Sequence, residues 1–128
     1  MHHTQKNLIE IKEKIKDKIN NLNLFEYNPK IIAVSKTFSE QDILPLIEYG
    51  HVEFGENKVQ EAQLKWIDLR RENSDKKIEL HLIGPLQSNK VNLALDIFDV
   101  IQTIDREKIA LKIKTYLEEK NEINKKKF

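Results

Sequence analysis

The period of the apolar positions changes repeatedly along this chain, and the changes divide it into alternating helices and strands. From about Thr4 to Leu22, the residues Leu8, Ile11, Ile15, Ile19 and Leu22 recur every third or fourth position among lysines and acids, which predicts an amphipathic helix. A polar link through Asn23, Asn28 and Pro29 leads to the run 31–35, Ile-Ile-Ala-Val-Ser, apolar on both faces as a buried parallel strand is. Ser39, with Asp42 three positions on, predicts a capping box and a second helix that runs to about Tyr49 and stops at Gly50. Pro45 should bend that helix or shorten its first half. Val52-Glu53-Phe54 reads as a second strand. Asn57, with Gln60 beyond it, reads as the cap of a helix carrying Val59, Ala62, Leu64, Trp66, Ile67 and Leu69.

A charged loop, 70–77, separates that helix from a third strand at 78–83, which Gly84-Pro85 ends. Ser88 or Asn89 opens a helix through Val91, Leu93, Leu95 and Ile97, and 99–103 is a fourth strand. Asp105 caps a last helix with Ile109, Ile113, Tyr116 and Leu117 on its inner face. Four consecutive strand–helix units imply an α/β fold with right-handed crossovers and a parallel sheet, either open and doubly wound or part of a (β/α)8 barrel. A complete barrel takes about 250 residues. The 128 residues here are therefore expected to form a single incomplete domain, 1–128, equivalent to half of one.

Composition narrows the functions without choosing one. The net charge is +1, from 22 basic and 21 acidic residues, so no overall field recruits nucleic acid or anionic lipid. With no cysteine, disulfides, thiolate catalysis and Cys-type zinc sites are excluded, and a reducing cytoplasm is the expected setting. No segment reaches the ~18 apolar residues of a membrane span, and the start of the chain lacks the apolar core of a secretory signal. His2 and His3 lie at a fraying end, and His51 and His81 lack ligand-like spacing, so no metal site is expected.

Chemistry gathers where the strands end. Lys36 follows the first strand, Glu56 and Asn57 the second, Gly84 to Asn89 the third and Asp105 the fourth. Parallel strands bring those ends to one face, the face at which such sheets bind ligands. Strand alternation puts Ile32, Val34 and Lys36 on one side, directing the amine into the mouth of a barrel. A lysine amine has an ordinary pKa of ~10.4, and nucleophilic amines are tuned toward ~7–8 by partial burial. The bland alternative is a strand-end lysine reaching solvent. Trp66 and Phe54 lie in apolar patterns and are assigned to the core, and His81 to a satisfied core histidine. The bland alternative for Asn57 and Asp105 is a helix cap and nothing more. Dinucleotide and Walker-type phosphate loops are absent from the sequence.

Three segments add a more specific signal: Ala33-Val34-Ser35-Lys36-Thr37, Phe54-Gly55-Glu56-Asn57-Lys58-Val59-Gln60-Glu61, and His81-Leu82-Ile83-Gly84-Pro85-Leu86-Gln87-Ser88-Asn89-Lys90. In order and spacing they resemble the pyridoxal phosphate homeostasis family. The resemblance covers nearly the whole chain but only the N-terminal half of the family. It implies a barrel like the N-terminal domain of alanine racemase and pyridoxal 5′-phosphate held as an aldimine on Lys36. Asn57, His81 and Gly84 are the further cofactor-binding positions it points to. It also implies a carrier or regulator of vitamin B6 pools rather than a catalyst, and a monomer at full length. The alternative is a pyridoxal phosphate enzyme of the racemase or decarboxylase type, and the blandest reading is an inert remnant. The family's phosphate-holding serine, glycine and arginine residues lie beyond the matched part. The expectation is therefore a truncated product with weakened, reversible binding and open sheet edges that favour self-association.

Overall fold

A computed structural model of the chain describes residues 1–120, 127 and 128. Five helices and four strands alternate: α1 (His3–Asn21), β1 (Ala33–Val34), α2 (Glu40–Tyr49), β2 (Glu53–Glu56), α3 (Val59–Glu72), β3 (Glu79–Leu82), α4 (Val91–Ile97), β4 (Val100–Ile101) and α5 (Glu107–Lys120). The strands form one parallel sheet in the order β1-β2-β3-β4. Sequential order with every crossover of one hand puts the connecting helices on one face, the arrangement of half a (β/α)8 barrel. A further rung lies outside β4, where Lys127 bridges Val100 in parallel and exchanges backbone hydrogen bonds of 3.0 Å with Asp99 and Ile101. A fifth parallel strand position beside β4 is thus occupied at Lys127.

Between sheet and helices lies the core. Phe54, Leu80, Leu82 and Ile101 on the strands and Ala62, Trp66, Ala94 and Ile109 on the helices are fully buried. The Phe54 and Trp66 rings meet at 4.9 Å between centroids. Each such large side chain contributes roughly 1.5–3 kcal/mol of burial. The charged stretch at the end of α3 also ties in. Arg70 donates to the carbonyls of Ile97 (2.9 Å) and Ile78 (2.7 Å) and pairs with Asp99, which in turn accepts from the Leu80 amide.

Several local expectations hold and several change. Gly50 ends α2 at φ 108°, and the Gly50 and His51 amides close the helix end on Ile47 and Leu46. Pro45 sits inside α2 without ending it, because the carbonyl it leaves unbonded belongs to exposed Gln41 and can meet water. Ser39 occupies the cap position, but its hydroxyl bonds the Asp42 carboxylate at 3.2 Å instead of a backbone amide. Asn57 is not the cap of α3: Lys58 is, and its side chain makes no capping bond. Asp105 does not cap α5 either. The helix starts two residues later, the Arg106 carbonyl accepts from Ala110, and the Asp105 carboxylate lies 3.4 Å from the Arg106 guanidinium. In α1 only Leu8 is fully buried, and Leu22 is 57 % exposed, because that helix meets the body mainly through α2.

Candidate functional site at the carboxyl ends of the strands

Strand alternation separates two faces. Phe54 and Glu56 face α3, since one packs on Trp66 and the other accepts from it. The strand residues that alternate with them, Glu53 and Gly55, therefore point to the opposite, inner face. The register Val34↔Gly55↔His81↔Val100 then defines one row across that inner face. A Cβ on Gly55 would come within 3.0 Å of Ile32 and 3.3 Å of Ile83, which places those two side chains on the same side.

Lys36 lies two residues beyond Val34, at the rim, and its side chain is exposed. Its loop is a tight turn, with the Phe38 amide donating to the Ser35 carbonyl at 3.1 Å. Thr37, the third residue of that turn, has φ 64°. One side chain of α3 grips this turn. Lys65 Nζ donates to the carbonyls of Ser35 (2.6 Å) and Phe38 (3.0 Å) and to Glu61 Oε2 (3.0 Å), and lies 2.9 Å from Glu56 Oε2. Glu61 Oε2 accepts in addition from the Thr37 amide at 2.5 Å. Burial alone would raise the Glu61 carboxyl, but the Thr37 amide and the Lys65 ammonium outweigh it and hold its pKa below the ordinary value.

Glu56 is completely buried behind the turn. Its Oε2 accepts from the Ser35 hydroxyl and from Trp66 Nε1 (3.1 Å), while Oε1 has no hydrogen-bond partner among the described residues. The sequence placed Glu56 on the rim beside Asn57. Instead it faces the helices, because it is one strand position out of phase with Lys36. Lys65 and Glu61 were not singled out at all. The available signal was their i, i+4 spacing and a lysine set directly before the buried Trp66.

The other expected positions fall at different depths. Asn57 is half-buried at the rim and packs against Gly84, where an added Cβ would lie 2.5 Å from the Asn57 carbonyl oxygen. The close approach that Gly84 permits is therefore to the neighbouring turn of the chain itself. Asn57 also lines a shallow rim groove with Gln60, Leu64, Pro85, Gln87 and Lys90, and Lys36 lies outside that groove. His81 sits one level deeper, beside Gly55, and is 8 % exposed. It is not a satisfied core histidine. Nε2 lies 3.0 Å from Glu79 Oε1 without hydrogen-bond alignment, and neither ring nitrogen has a hydrogen-bond partner among the described residues. His51, by contrast, is buried and bonds the Glu53 carbonyl through Nε2 at 2.7 Å, and burial lowers its pKa. His2 and His3 are ordered against α2: His2 caps α1, and the two rings and Asp42 bring three ligand-type atoms within 4.8 Å of one another.

The rim thus presents an exposed primary amine on a braced turn, with a buried imidazole beside the Glu79 carboxylate below it. Relatives of the chain can be recognised by sequence identity. A protein of Pasteurella multocida is 41% identical over 106 residues, which cover 83% of this chain and 45% of the relative. One of Haemophilus influenzae is 41% identical over 108 residues, covering 83% and 44%, and one of Escherichia coli is 38% identical over 107 residues, covering 84% and 45%. All three are named pyridoxal phosphate homeostasis protein.

This chain is homologous to the pyridoxal phosphate homeostasis proteins.

It spans about half the length of the curated relatives it matches. Among solved structures, PipY of Synechococcus elongatus with PLP bound superposes with a TM-score of 0.63 at 34% identity, covering 78% of this chain and 47% of PipY. An unknown protein from Bifidobacterium adolescentis gives a TM-score of 0.78 at 24% identity, covering 92% and 51%, and supports the fold alone. No family model matches the chain. Among the described residues no helix is long and apolar enough to cross a membrane.

Proposed function

We propose that the chain binds pyridoxal 5′-phosphate through the Lys36 amine and serves vitamin B6 homeostasis rather than catalysis. The observation that carries this reading is the exposed Lys36 amine on a braced turn at the carboxyl ends of parallel strands, where such folds meet ligands. The group fits the residues present. Buried His81, whose Nδ1 has no hydrogen-bond partner among the described residues and whose Nε2 lies 3.0 Å from Glu79 Oε1, is a polar group on the inner face that a polar heterocycle would meet. Asn57 and Gly84 shape the rim beside them.

When bound, the cofactor supplies an aldehyde. Lys36, the primary amine exposed at the rim, would hold the group through that aldehyde. The homologues' common name supports a role in cofactor supply, and a cysteine-free chain suits the reducing cytoplasm where we place it.

The test is a titration of the full chain with pyridoxal 5′-phosphate, followed by borohydride reduction and peptide mapping. The expected result is a new absorbance band and reduced label concentrated on Lys36, both lost in Lys36→Ala. Label spread evenly over the surface lysines would sink the reading.

A further inference from the structure

The Lys36 turn is held in a conformation its own sequence disfavours. A positive φ at the third position of a tight turn is normally supplied by glycine or asparagine, and here a β-branched threonine adopts it. Strained backbone of this kind persists where the surroundings over-determine it. What surrounds it is named above: Lys65 binds the carbonyls of Ser35 and Phe38, the first and last residues of the turn, and Glu61 binds the Thr37 amide in between. Lys65 is only 12 % exposed, and its charge is met by both Glu56 and Glu61, so the same ammonium that binds the turn is itself held. Three carboxylate and carbonyl directions converge on one ammonium, the most an ammonium can satisfy with linear donors, and a fourth contact shares them.

We propose that Lys65, seconded by Glu61, is the positioning residue for the Lys36 amine. By pinning both ends of a strained turn from α3, it fixes where the Lys36 side chain leaves the backbone. It thereby selects this lysine over the many others for condensation with an aldehyde ligand. The gain is orientational: a nucleophile held near its attack geometry reacts with less loss of freedom. The inference rests on the Lys36 reading given above and adds a role for side chains that touch neither ligand nor reacting atoms.

The test uses the full chain, with pyridoxal 5′-phosphate and its unphosphorylated counterpart, pyridoxal, as separate probes. Wild type, Lys36→Ala, Lys65→Met and Glu61→Gln are labelled, reduced with borohydride and mapped. If wild type does not label Lys36 preferentially, the Lys36 reading itself fails. If it does, the positioning role predicts that Lys65→Met and Glu61→Gln lose about tenfold in selectivity for Lys36 over the other lysines, equally with both aldehydes. Circular dichroism of each variant verifies that it is folded when labelled, and a merely structural role would leave selectivity in folded protein unchanged. Should Lys65→Met fail to fold, Glu61→Gln decides, since Glu61 is partly exposed and its neutral analogue retains the shape. Wild-type selectivity in folded Glu61→Gln overturns the proposal. A loss confined to the phosphorylated aldehyde also overturns it, because Lys65 would then act on the phosphate.

Discussion

Two residues carry most of the local cost of building the rim. Thr37 in the left-handed region costs roughly 1–2 kcal/mol, a strain that the hydrogen bonds from Lys65 and to Glu61 offset. Gly84 avoids a larger cost by having no side chain. A Cβ there would stand 2.5 Å from the Asn57 carbonyl oxygen and 2.9 Å from its Cβ, and both belong to a turn anchored between β2 and α3. Gly84→Ala is therefore expected to lower stability by about 1–3 kcal/mol, read as a lower midpoint in urea unfolding. Gly55→Ala meets the Ile32 Cγ2 methyl at 3.0 Å, a side-chain rather than a backbone atom, so its loss should be smaller. The reverse order of the two variants would show that the rim turn is not as tightly packed as these distances require.

At the scale of elements, the alternation of strand and helix was legible because hydrophobic period reports burial directly, and burial is what the repeat organises. The element ends were also legible, since Gly50 after α2, Gly84 after β3 and the polar residues near them mark where the chain leaves a layer. The bracing of those ends was not. Helix caps were assigned to Asn57 and Asp105 from residue type alone, yet the chain placed Lys58 and Arg106 there because tertiary packing shifted each helix start. Lys65 escaped notice because its partners lie 27 and 30 residues away in sequence, on the Lys36 turn. The α3 brace should also be visible in the pH dependence of stability. The folded Glu61 carboxyl titrates below its ordinary value of 4.5, so the unfolded chain binds its proton first. Its contribution is complete above about 4.5 and disappears as pH falls through the lower folded value. Thermal unfolding followed across that acid window should show a steeper loss for wild type than for Glu61→Gln, and parallel curves would mean the Thr37 amide bond contributes nothing.

For the molecule as a whole, the consequence of four strands in sequential order is two unlike edges. At one edge Lys127 already pairs with β4. At the other, β1 bonds only β2, and beside it runs an apolar groove lined by Leu8, Ile11, Ile32, Val34, Phe38 and Leu46. Val34 is 46 % exposed, Phe38 49 % and Ile11 46 %. An unpaired backbone edge next to exposed apolar side chains is a template for another strand, and natural sheets blunt such edges with charge, most often lysine. A chain of this length, studied alone, should therefore self-associate as its concentration rises, with sedimentation velocity showing a growing fraction of dimer or larger species. Val34→Lys places a charge on the inner face next to that edge and should shift the distribution toward monomer without unfolding the helices. A wild-type chain that stays monomeric at high concentration and melts in one cooperative transition would show instead that the α1 face is enough to protect β1, and that half of this barrel architecture can stand by itself.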